Sequence, residues 1–275
     1  MKKILFTYDH PRPESLKGDG LWCALDLLEK DFEITRLNLS GKDKWEFDPN
    51  FDFYLGWGGF DSKVDKYMQS VTDKKGLCLA AQMPVNETAK NYDVIFYETE
   101  EIRKWLEVSG LKNLVHAFGI NTDIFYERSY DNFPEDENAH KIWDTISVGS
   151  FSPWHRQDLL YDREPGIAVG RVDSDNIQQS FNYVANLLLK GWTISNEVPQ
   201  EKLAQLYNMS RKFIATADFG QERAVLEARA CGIEVEVPAD NPKLKELLTS
   251  LIWDVKYYSN ALKGGILKCL SEENA

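Results

Sequence analysis

The strongest constraint on the fold is an alternation between short β-type runs and amphipathic helical segments that continues along most of the chain. In the first half, each β-type run is rich in β-branched and aromatic residues and is too short for a helix. These runs are 4–8, 32–37, 51–55, 77–81, 94–97 and 114–118. The segments 21–30, 63–71 and 100–108 between them place apolar residues on one helical face. Strands that alternate with helices predict a parallel, doubly wound sheet.

A second series of the same kind follows and predicts a second sheet. Its β-type runs are 144–149, 167–169, 192–198, 213–217 and 234–237. Its helical segments are 154–161, 176–190, 200–207, 222–230 and, in the tail, 251–262. In the longest segment the helical period directs five apolar residues inward, namely Ile177, Phe181, Val184, Leu187 and Leu188. The second half therefore repeats the architecture of the first without repeating its sequence.

An acidic stretch without apolar periodicity separates the two series. Residues 129–141 include a proline and several acidic side chains, a composition typical of a linker. A length of 275 residues leaves room for two domains. The predicted fold class is α/β with two tandem Rossmann-like domains, residues 1–128 and 142–250. The segment 251–275 supplies a further helix that could belong to either domain.

Composition excludes several classes of protein. With 32 basic and 44 acidic residues the net charge is −12, which repels nucleic-acid phosphates and anionic lipid head groups. No apolar run reaches the roughly 20 residues that a membrane-spanning helix needs. The apolar run after Lys2 and Lys3 is too short for a signal peptide, so the chain is expected to begin with a strand. The four cysteines are scattered, which favours buried thiols in the cytoplasm over a metal site.

A glycine turn follows the first predicted strand. Gly18, Asp19 and Gly20 precede a helical segment, where backbone amides can approach a phosphate or a sugar. An ordinary turn between a strand and a helix explains the same residues equally well. A dehydrogenase with a dinucleotide site here is disfavoured, because the turn lies about 10 residues too far from the strand and lacks a third glycine.

Residues 198–237 carry the most specific pattern in the chain. A helix, an apolar strand, a loop with a glycine (218–220) and a helix with the sequence EARACG (227–232) follow one another. This order resembles the donor-binding segment of retaining glycosyltransferases of the two-Rossmann GT-B fold, the family-4-like group also called glycosyl transferases group 1. Further segments similar to that family, in the same chain order, are 116–125, 144–156 and 167–170. The resemblance covers most of a chain that is unusually short for the family.

The resemblance implies a hexosyltransferase that needs neither a metal ion nor a cofactor. A hexose would pass, with retention, from a UDP- or GDP-linked sugar to a hydroxyl of a glycan, a lipid-linked molecule or a small molecule. The N-terminal domain would bind the acceptor and the C-terminal domain the nucleotide sugar, with the two sheets facing a cleft. The tail helix would pack back toward the N-terminal domain. A glycosyltransferase-like protein that binds a nucleotide sugar without turnover is the alternative.

The resemblance also implies a donor site at the carboxyl ends of the second set of strands. Gly149 and Gly220 would let the backbone approach the donor. Arg156 and Arg171 would neutralise the diphosphate, as would the amides at the start of the helix 222–230.

Acidic residues would bind the two sugars of the donor. Glu227 would accept hydrogen bonds from the ribose hydroxyls, and its alternative is an ion pair with Arg223 one helical turn away. The first acid of the family pattern falls at Phe219 in this chain. Either Asp218 or Glu222 would therefore reach the transferred sugar.

Other positions depart from the family pattern or leave two interpretations open. Ser150 stands at the first of two basic positions, and Gln82 stands where a histidine near the sugar is often found. His116 could act near the sugar, although a structural role explains a histidine at the end of a strand as well. His155 could contact phosphate, and His10 could line the acceptor side.

Overall fold

The structure is a computed structural model that describes residues 1–42, 50–80, 84–128 and 141–271. Packing divides the chain into two compact units. Unit 1 comprises residues 1–119 and 253–275, and unit 2 comprises residues 120–252. Gln82 and nearly all of the predicted linker lie outside the described residues.

Each unit contains a parallel sheet. The strands of unit 1 are β1 (Lys2–Tyr8), β2 (Phe32–Asn38), β3 (Phe53–Gly58), β4 (Lys75–Leu79), β5 (Val94–Tyr97) and β6 (Leu114–His116). The strands of unit 2 are β7 (Trp143–Val148), β8 (Ile167–Val169), β9 (Thr193–Ser195), β10 (Ser210–Ile214) and β11 (Glu234–Glu236). Their orders are β2-β1-β3-β4-β5-β6 and β11-β10-β7-β8-β9, and these strands pair in parallel. Successive strands are added first toward one edge of each sheet and then toward the other. This change in strand order falls between β1 and β3 in unit 1 and between β7 and β10 in unit 2.

Helices connect the strands as the alternation predicts. They are α1 (Gly20–Leu28), α2 (Lys63–Gln69), α3 (Glu100–Val108), α4 (Ile177–Leu189), α5 (Gln200–Asn208), α6 (Glu222–Ala230), α7 (Pro242–Leu247) and α8 (Val255–Ser271). The predicted fold class, α/β with two Rossmann-like domains and parallel sheets, is confirmed. None of the helices in the described ranges is both long and apolar enough to span a membrane.

The tail helix completes one face of the sheet in unit 1. Leu262 and Ile266 of α8 are fully buried in a core that also contains Phe6, Leu25 and Phe96. Gly265 permits this contact, because a Cβ atom at that position would lie 2.6 Å from the ring of Phe96. The helix begins at Val255 and ends at Ser271, whereas the periodicity predicts 251–262.

Residues 120–128 pack in unit 2, so the change of unit comes after Gly119, earlier than the change in composition after residue 128. The ring of Phe125 contacts that of Tyr207, with 6.1 Å between the centroids. Asn208 secures the following backbone, since its Oδ1 accepts a hydrogen bond from the amide of Arg128 at 2.9 Å. Local composition does not reveal side-chain contacts of this kind, so it could not predict where the change of unit falls.

The prediction of which residues α4 buries is wrong for most of them. Ile177, Phe181 and Leu188 are 55%, 54% and 55% exposed, and Val184 is half-buried, whereas Leu187 and Ser180 are fully buried. The hydroxyl of Ser180 donates a hydrogen bond to the carbonyl of Phe151. The helix is thus rotated about its axis relative to the orientation that apolar periodicity predicts. Ser180, and not the predicted apolar face, contacts the neighbouring loop.

The prediction of one helix over 154–161 is also wrong. Two short 3₁₀ helices, Pro153–His155 and Gln157–Leu160, flank Arg156, whose φ of 42° is left-handed. A left-handed residue cannot continue a right-handed helix. The interruption keeps the segment short and close to the end of β7.

Candidate functional site

Three loops of unit 2 follow the neighbouring strands β7, β8 and β10. Strand order changes direction between β7 and β10, and ligands of doubly wound sheets bind at the carboxyl ends of the strands at such a point. The chain leaves β7 through Gly149, β8 through Gly170 and β10 through residues 215–221. These loops hold or adjoin four of the five predicted donor-binding residues, namely Gly149, Arg156, Arg171 and Gly220.

Two glycines bring two of the loops together, backbone against backbone. A Cβ atom on Gly170 would overlap the carbonyl oxygen of Gly149. A Cβ atom on Gly149 would lie 2.7 Å from Cδ2 of His155. A side chain on Gly170 would therefore force the loops after β7 and β8 apart, and one on Gly149 would displace the ring of His155.

Gly170→Ala is expected to destabilise the protein by about 1–3 kcal/mol, since the backbone on both sides must move to admit the methyl group. Urea unfolding measures the change. Gly264→Ala is the matched control, because a Cβ atom there meets nothing within 4 Å, and alanine favours a helix over glycine by about 1 kcal/mol. Wild-type stability of Gly170→Ala would contradict the close approach of the loops.

The side chain of Gln221 joins the end of β7 to the end of β10. Its Oε1 accepts hydrogen bonds from the amides of Thr216 and Ala217, both at 2.8 Å. Its Nε2 donates to the carbonyl of Val148 at 2.6 Å. Gln221 directly precedes α6, so these bonds hold the start of that helix against β7. Sequence reasoning missed this residue, because a side chain that bonds both its own loop and the backbone of Val148, 73 positions away, has no sequence signature.

His155 is held by two serines beside the glycines of the site. Its Nδ1 lies 2.7 Å from Oγ of Ser152 and 3.1 Å from Oγ of Ser150. Its Nε2 makes no hydrogen bond with any residue in the described ranges. That nitrogen would lie 3.0 Å from a Cβ atom on Gly149 and 3.6 Å from one on Gly220. The ring therefore presents Nε2 next to the two glycines of the predicted donor site.

The surroundings of His155 determine its charge. Burial, reinforced by the positive charge of Arg171, lowers the pKa of His155 to about 4. The ring is therefore neutral at pH 7. The serine hydroxyls can donate to Nδ1 or accept from it. When they donate, the proton of the neutral ring lies on Nε2, and His155 then offers an N–H donor without a positive charge.

Two further polar groups lie in the same loops. Gln157 is 1% exposed, its Nε2 donates to the carbonyl of Ser150 at 3.4 Å, and its Oε1 has no partner in the described part of the chain. Arg171 follows Gly170, and its carbonyl accepts the amide of Phe151 at 2.8 Å. The loops thus combine neutral donors and acceptors with the positive charge of Arg171.

The structure places Arg156 in an acidic cluster. Its guanidinium makes a two-point contact with Asp240, at 2.8 and 3.1 Å, and one nitrogen lies 3.0 Å from Asp218. Its Nε donates to the carbonyl of Thr216 at 2.9 Å. Two carboxylates thus compensate the positive charge of Arg156, which the resemblance implies would neutralise the donor diphosphate. The cluster brings Arg156 and Asp218 together, and Asp218 is 46% exposed.

Glu222 forms a buried ion pair with Lys243 of α7. Lys243 Nζ lies 2.8 Å from Oε1 of Glu222, and the two side chains are 6% and 8% exposed. The same ammonium lies 5.5 Å from the ring centroid of Phe219. The structure therefore ties α6 to α7 through one of the two acids predicted to touch the sugar. Sequence reasoning missed both α7 and Lys243, although Asn241 and Pro242 are a typical helix start.

Glu227 lies in the interior of unit 2 and is 4% exposed. Burial raises the pKa of Glu227 to about 8, opposed by the charge of Arg223 and a hydrogen bond with Tyr207. No hydrogen bond or ion pair joins Glu227 to Arg156 in the described ranges. The structure places Arg156 in the loops and Glu227 within the core.

In unit 1, the glycine turn forms the start of α1. Oδ1 of Asp19 accepts the amide of Leu21 at 2.9 Å, and Asp19 is 3% exposed. Gly18 has a φ of 87°, which favours glycine. A carboxylate thus caps the helix end at which Gly18, Asp19 and Gly20 were expected to receive a phosphate or sugar.

The other histidines discussed above also have partners within unit 1. Nδ1 of His116 lies 2.8 Å from the hydroxyl of Tyr257, and its Nε2 lies 3.1 Å from the carbonyl of Glu98. His10 contacts the carbonyl of Arg12 through Nδ1 at 2.9 Å. With both ring nitrogens engaged, His116 has the environment of a structural histidine. Across the described ranges, no cluster of three or more His, Cys, Asp and Glu side chains could hold a metal ion.

Comparison with known proteins identifies similar folds but no similar sequences. No protein-family model matches the chain, and no curated protein matches its sequence. Sucrose-phosphate synthase from Thermosynechococcus elongatus has a TM-score of 0.61 at 13% identity, covering 98% of this chain and 91% of that one. HepE from Anabaena, in complex with UDP and glucose, has a TM-score of 0.60 at 12% identity, with 100% and 91% coverage.

A third solved structure matches over a similar share of its length. AviGT4, a glycosyltransferase involved in avilamycin A biosynthesis, has a TM-score of 0.59 at 14% identity and covers 99% of each chain. At these identities the likeness shows a shared fold. The chain therefore has the fold of these three proteins over nearly their whole length.

Proposed function

We propose that the protein is a glycosyltransferase that moves a hexose from a UDP- or GDP-linked sugar to an acceptor hydroxyl, with retention and without a metal ion. The observation that carries the proposal is the polar group of His155, Ser150 and Ser152 beside Gly149 and Gly220. Its place after β7, at the reversal of strand order, is where doubly wound sheets bind nucleotides. The fold shared with HepE, whose solved structure holds UDP and glucose, supports a UDP-linked donor, and the fold shared with the glycosyltransferase AviGT4 supports glycosyl transfer.

The proposed role of His155 is to bind an oxygen of the donor diphosphate. Transfer of the sugar leaves a nucleoside diphosphate on which negative charge grows, and fixed hydrogen-bond donors stabilise such charge. His155 supplies an Nε2–H that the two serines orient in advance. The amides at the start of α6 and the charge of Arg171 are proposed to assist it.

Acidic residues are proposed to bind the transferred sugar and the ribose of the donor. Asp218 is the better candidate to reach the transferred sugar, because it is 46% exposed, whereas Glu222 is buried against Lys243. Glu227 is proposed to bind ribose through a carboxyl group that burial keeps protonated at pH 7. A protonated carboxyl can both donate and accept a hydrogen bond.

The second candidate function is nucleotide-sugar binding without turnover. The ion pairs of Arg156 with Asp218 and Asp240 favour it, since they occupy both a predicted diphosphate ligand and a predicted sugar ligand. A transferase would have to exchange these pairs for contacts with the donor. A binding protein could leave them in place.

A direct assay separates the two functions. The protein is incubated with UDP- and GDP-hexoses, with and without a panel of sugar and lipid acceptors, and the released UDP or GDP is measured. Acceptor-dependent release identifies a transferase, and NMR of the product shows whether the anomeric configuration is retained. Equal rates with EDTA and with added manganese support metal independence. Saturable donor binding by calorimetry without any release identifies the binding protein.

Variants of His155 test the diphosphate contact. His155→Asn removes the donor at the ε position and is expected to weaken UDP binding at least tenfold, the cost of one hydrogen bond to a charged group. His155→Gln can return an N–H near that position and should bind more tightly than His155→Asn. Since the pKa of His155 is about 4, this contact should not titrate between about pH 6 and pH 9. Calorimetry checks all three expectations, and equal binding by His155→Asn and wild type would refute the contact.

A further inference from the structure

One backbone carbonyl and two carboxylates hold the guanidinium of Arg156. Its Nε donates to the carbonyl of Thr216 at 2.9 Å, and this bond fixes the side chain against the loop that follows β10. Its Nη1 and Nη2 donate to the two carboxylate oxygens of Asp240 at 2.8 and 3.1 Å. Nη1 also lies 3.0 Å from Oδ1 of Asp218. The outer edge of the guanidinium, formed by Nη1 and Nη2, is therefore occupied by carboxylates of the chain itself.

The backbone that carries Asp240 is fixed by the next residue, Asn241, which is 4% exposed. Nδ2 of Asn241 donates to the carbonyl of Ala217 at 2.8 Å, and its Oδ1 accepts the amide of Leu244 in the first turn of α7. The side chain of Asp240 is nevertheless 65% exposed. Ion pairs with so much access to water contribute little to stability. The fold therefore places Asp240 beside Arg156, whereas its carboxylate can leave the guanidinium at little cost.

The contact between Arg156 and Asp240 has the geometry with which arginine binds phosphate. A guanidinium binds carboxylates and phosphates alike through two parallel N–H donors. The carboxylate of Asp240 therefore occupies the donors that a diphosphate would use. Arg156 also has a left-handed φ of 42°, a conformation that is unfavourable for a residue with a side chain and that clusters at ligand sites. It directly follows His155, whose Nε2 lies beside Gly149 and Gly220.

We propose that Asp240 competes with the donor diphosphate for Arg156: it occupies the outer edge of the guanidinium in the free protein and yields that edge when a nucleoside diphosphate binds. This inference rests on the proposed function, in which the diphosphate binds beside His155. Movement of Arg156 to the diphosphate also frees Asp218, the acid proposed to reach the transferred sugar, so phosphate binding and sugar binding become linked. The affinity for the donor is reduced according to the fraction of molecules in which Asp240 holds Arg156.

Calorimetry with UDP and with inorganic pyrophosphate tests the competition. Asp240→Asn removes the competing charge and should tighten the binding of both probes by about two- to fivefold, the range that corresponds to an exposed ion pair. If Asp240 only braced the loop, its replacement would bring no such gain. Asp158→Asn is the matched control, because the charge of Asp158 also acts on Arg156 but forms no ion pair with it in the described part of the chain. This control should change binding less than Asp240→Asn does.

A second pair of variants shows whether the gain acts through Arg156. In an Arg156→Gln background, Asp240→Asn should change binding no more than Asp158→Asn does, because no guanidinium remains to be released. UDP binding that Asp240→Asn leaves unchanged or weakens would overturn the competition alone, as would a gain that persists in the Arg156→Gln background. Failure of wild type and Asp240→Asn alike to bind either probe would overturn both the competition and the proposed function.

Discussion

Lys243→Met is expected to lower the free energy of unfolding by about 3–5 kcal/mol, because it leaves the carboxylate of Glu222 buried without its partner. The side chains of Glu222 and Lys243 are 8% and 6% exposed, and 2.8 Å separates their charged atoms. Little water can reach the carboxylate to replace the ammonium. Urea unfolding at pH 7 measures the loss.

Two further variants show whether the loss comes from the unpaired charge. Glu222→Gln together with Lys243→Met removes both charges and should recover most of the lost stability, as replaced buried ion pairs often do. Lys245→Met changes an exposed lysine of the same helix and should alter stability by no more than about 0.5 kcal/mol. Equal stabilities of Lys243→Met and Lys245→Met would show that the pair contributes nothing.

The same double variant also bears on the choice between the two acids. If Asp218 is the residue that reaches the sugar, the double variant should retain hexose transfer and Asp218→Asn should lose most of it. The reverse result would assign the sugar contact to Glu222. Transfer is measured as acceptor-dependent release of the nucleoside diphosphate, with the stability of each variant known beforehand.

Glu227→Gln is expected to remove a large part of the dependence of stability on pH between about pH 5 and pH 9. The pKa of an ordinary glutamate side chain is 4.5, and burial raises the pKa of Glu227 to about 8 in the folded protein. Between these two values the folded state holds a proton that the unfolded state has lost. Stability therefore falls as the pH rises through this window, and the loss is on the order of 4 kcal/mol once the pH exceeds the folded pKa.

Glutamine has nearly the shape of the protonated carboxyl group but cannot ionise. Relative to the wild type, Glu227→Gln should therefore gain stability on going from about pH 5 to about pH 9, by the amount that the wild type loses. Chemical unfolding at a series of pH values checks this. Glu201→Gln, at an exposed position of α5, is the control and should follow the wild type. A constant difference between Glu227→Gln and wild type at every pH would show that Glu227 titrates normally.

Much of the fold could be predicted from the sequence, because the alternation of strands and helices is a local property. Buried parallel strands need short apolar runs, and the helices that cover them need one apolar face. The sequence alone determined two parallel α/β units, the positions of most strands and the glycines of the loops. It also indicated the carboxyl ends of the second set of strands as the place of the site, since that position follows from the topology.

Tertiary structure alone decided which side chains meet there. The partners of Arg156 and Glu222 include residues 84 and 21 positions away, respectively. The same holds for α4, where Ile177, Phe181 and Leu188 face outward while Ser180 binds Phe151, 29 positions away. Hydrogen bonds and ion pairs between distant residues depend on how the loops converge in space. Periodicity reports only which side chains share a face, so it could not predict these contacts.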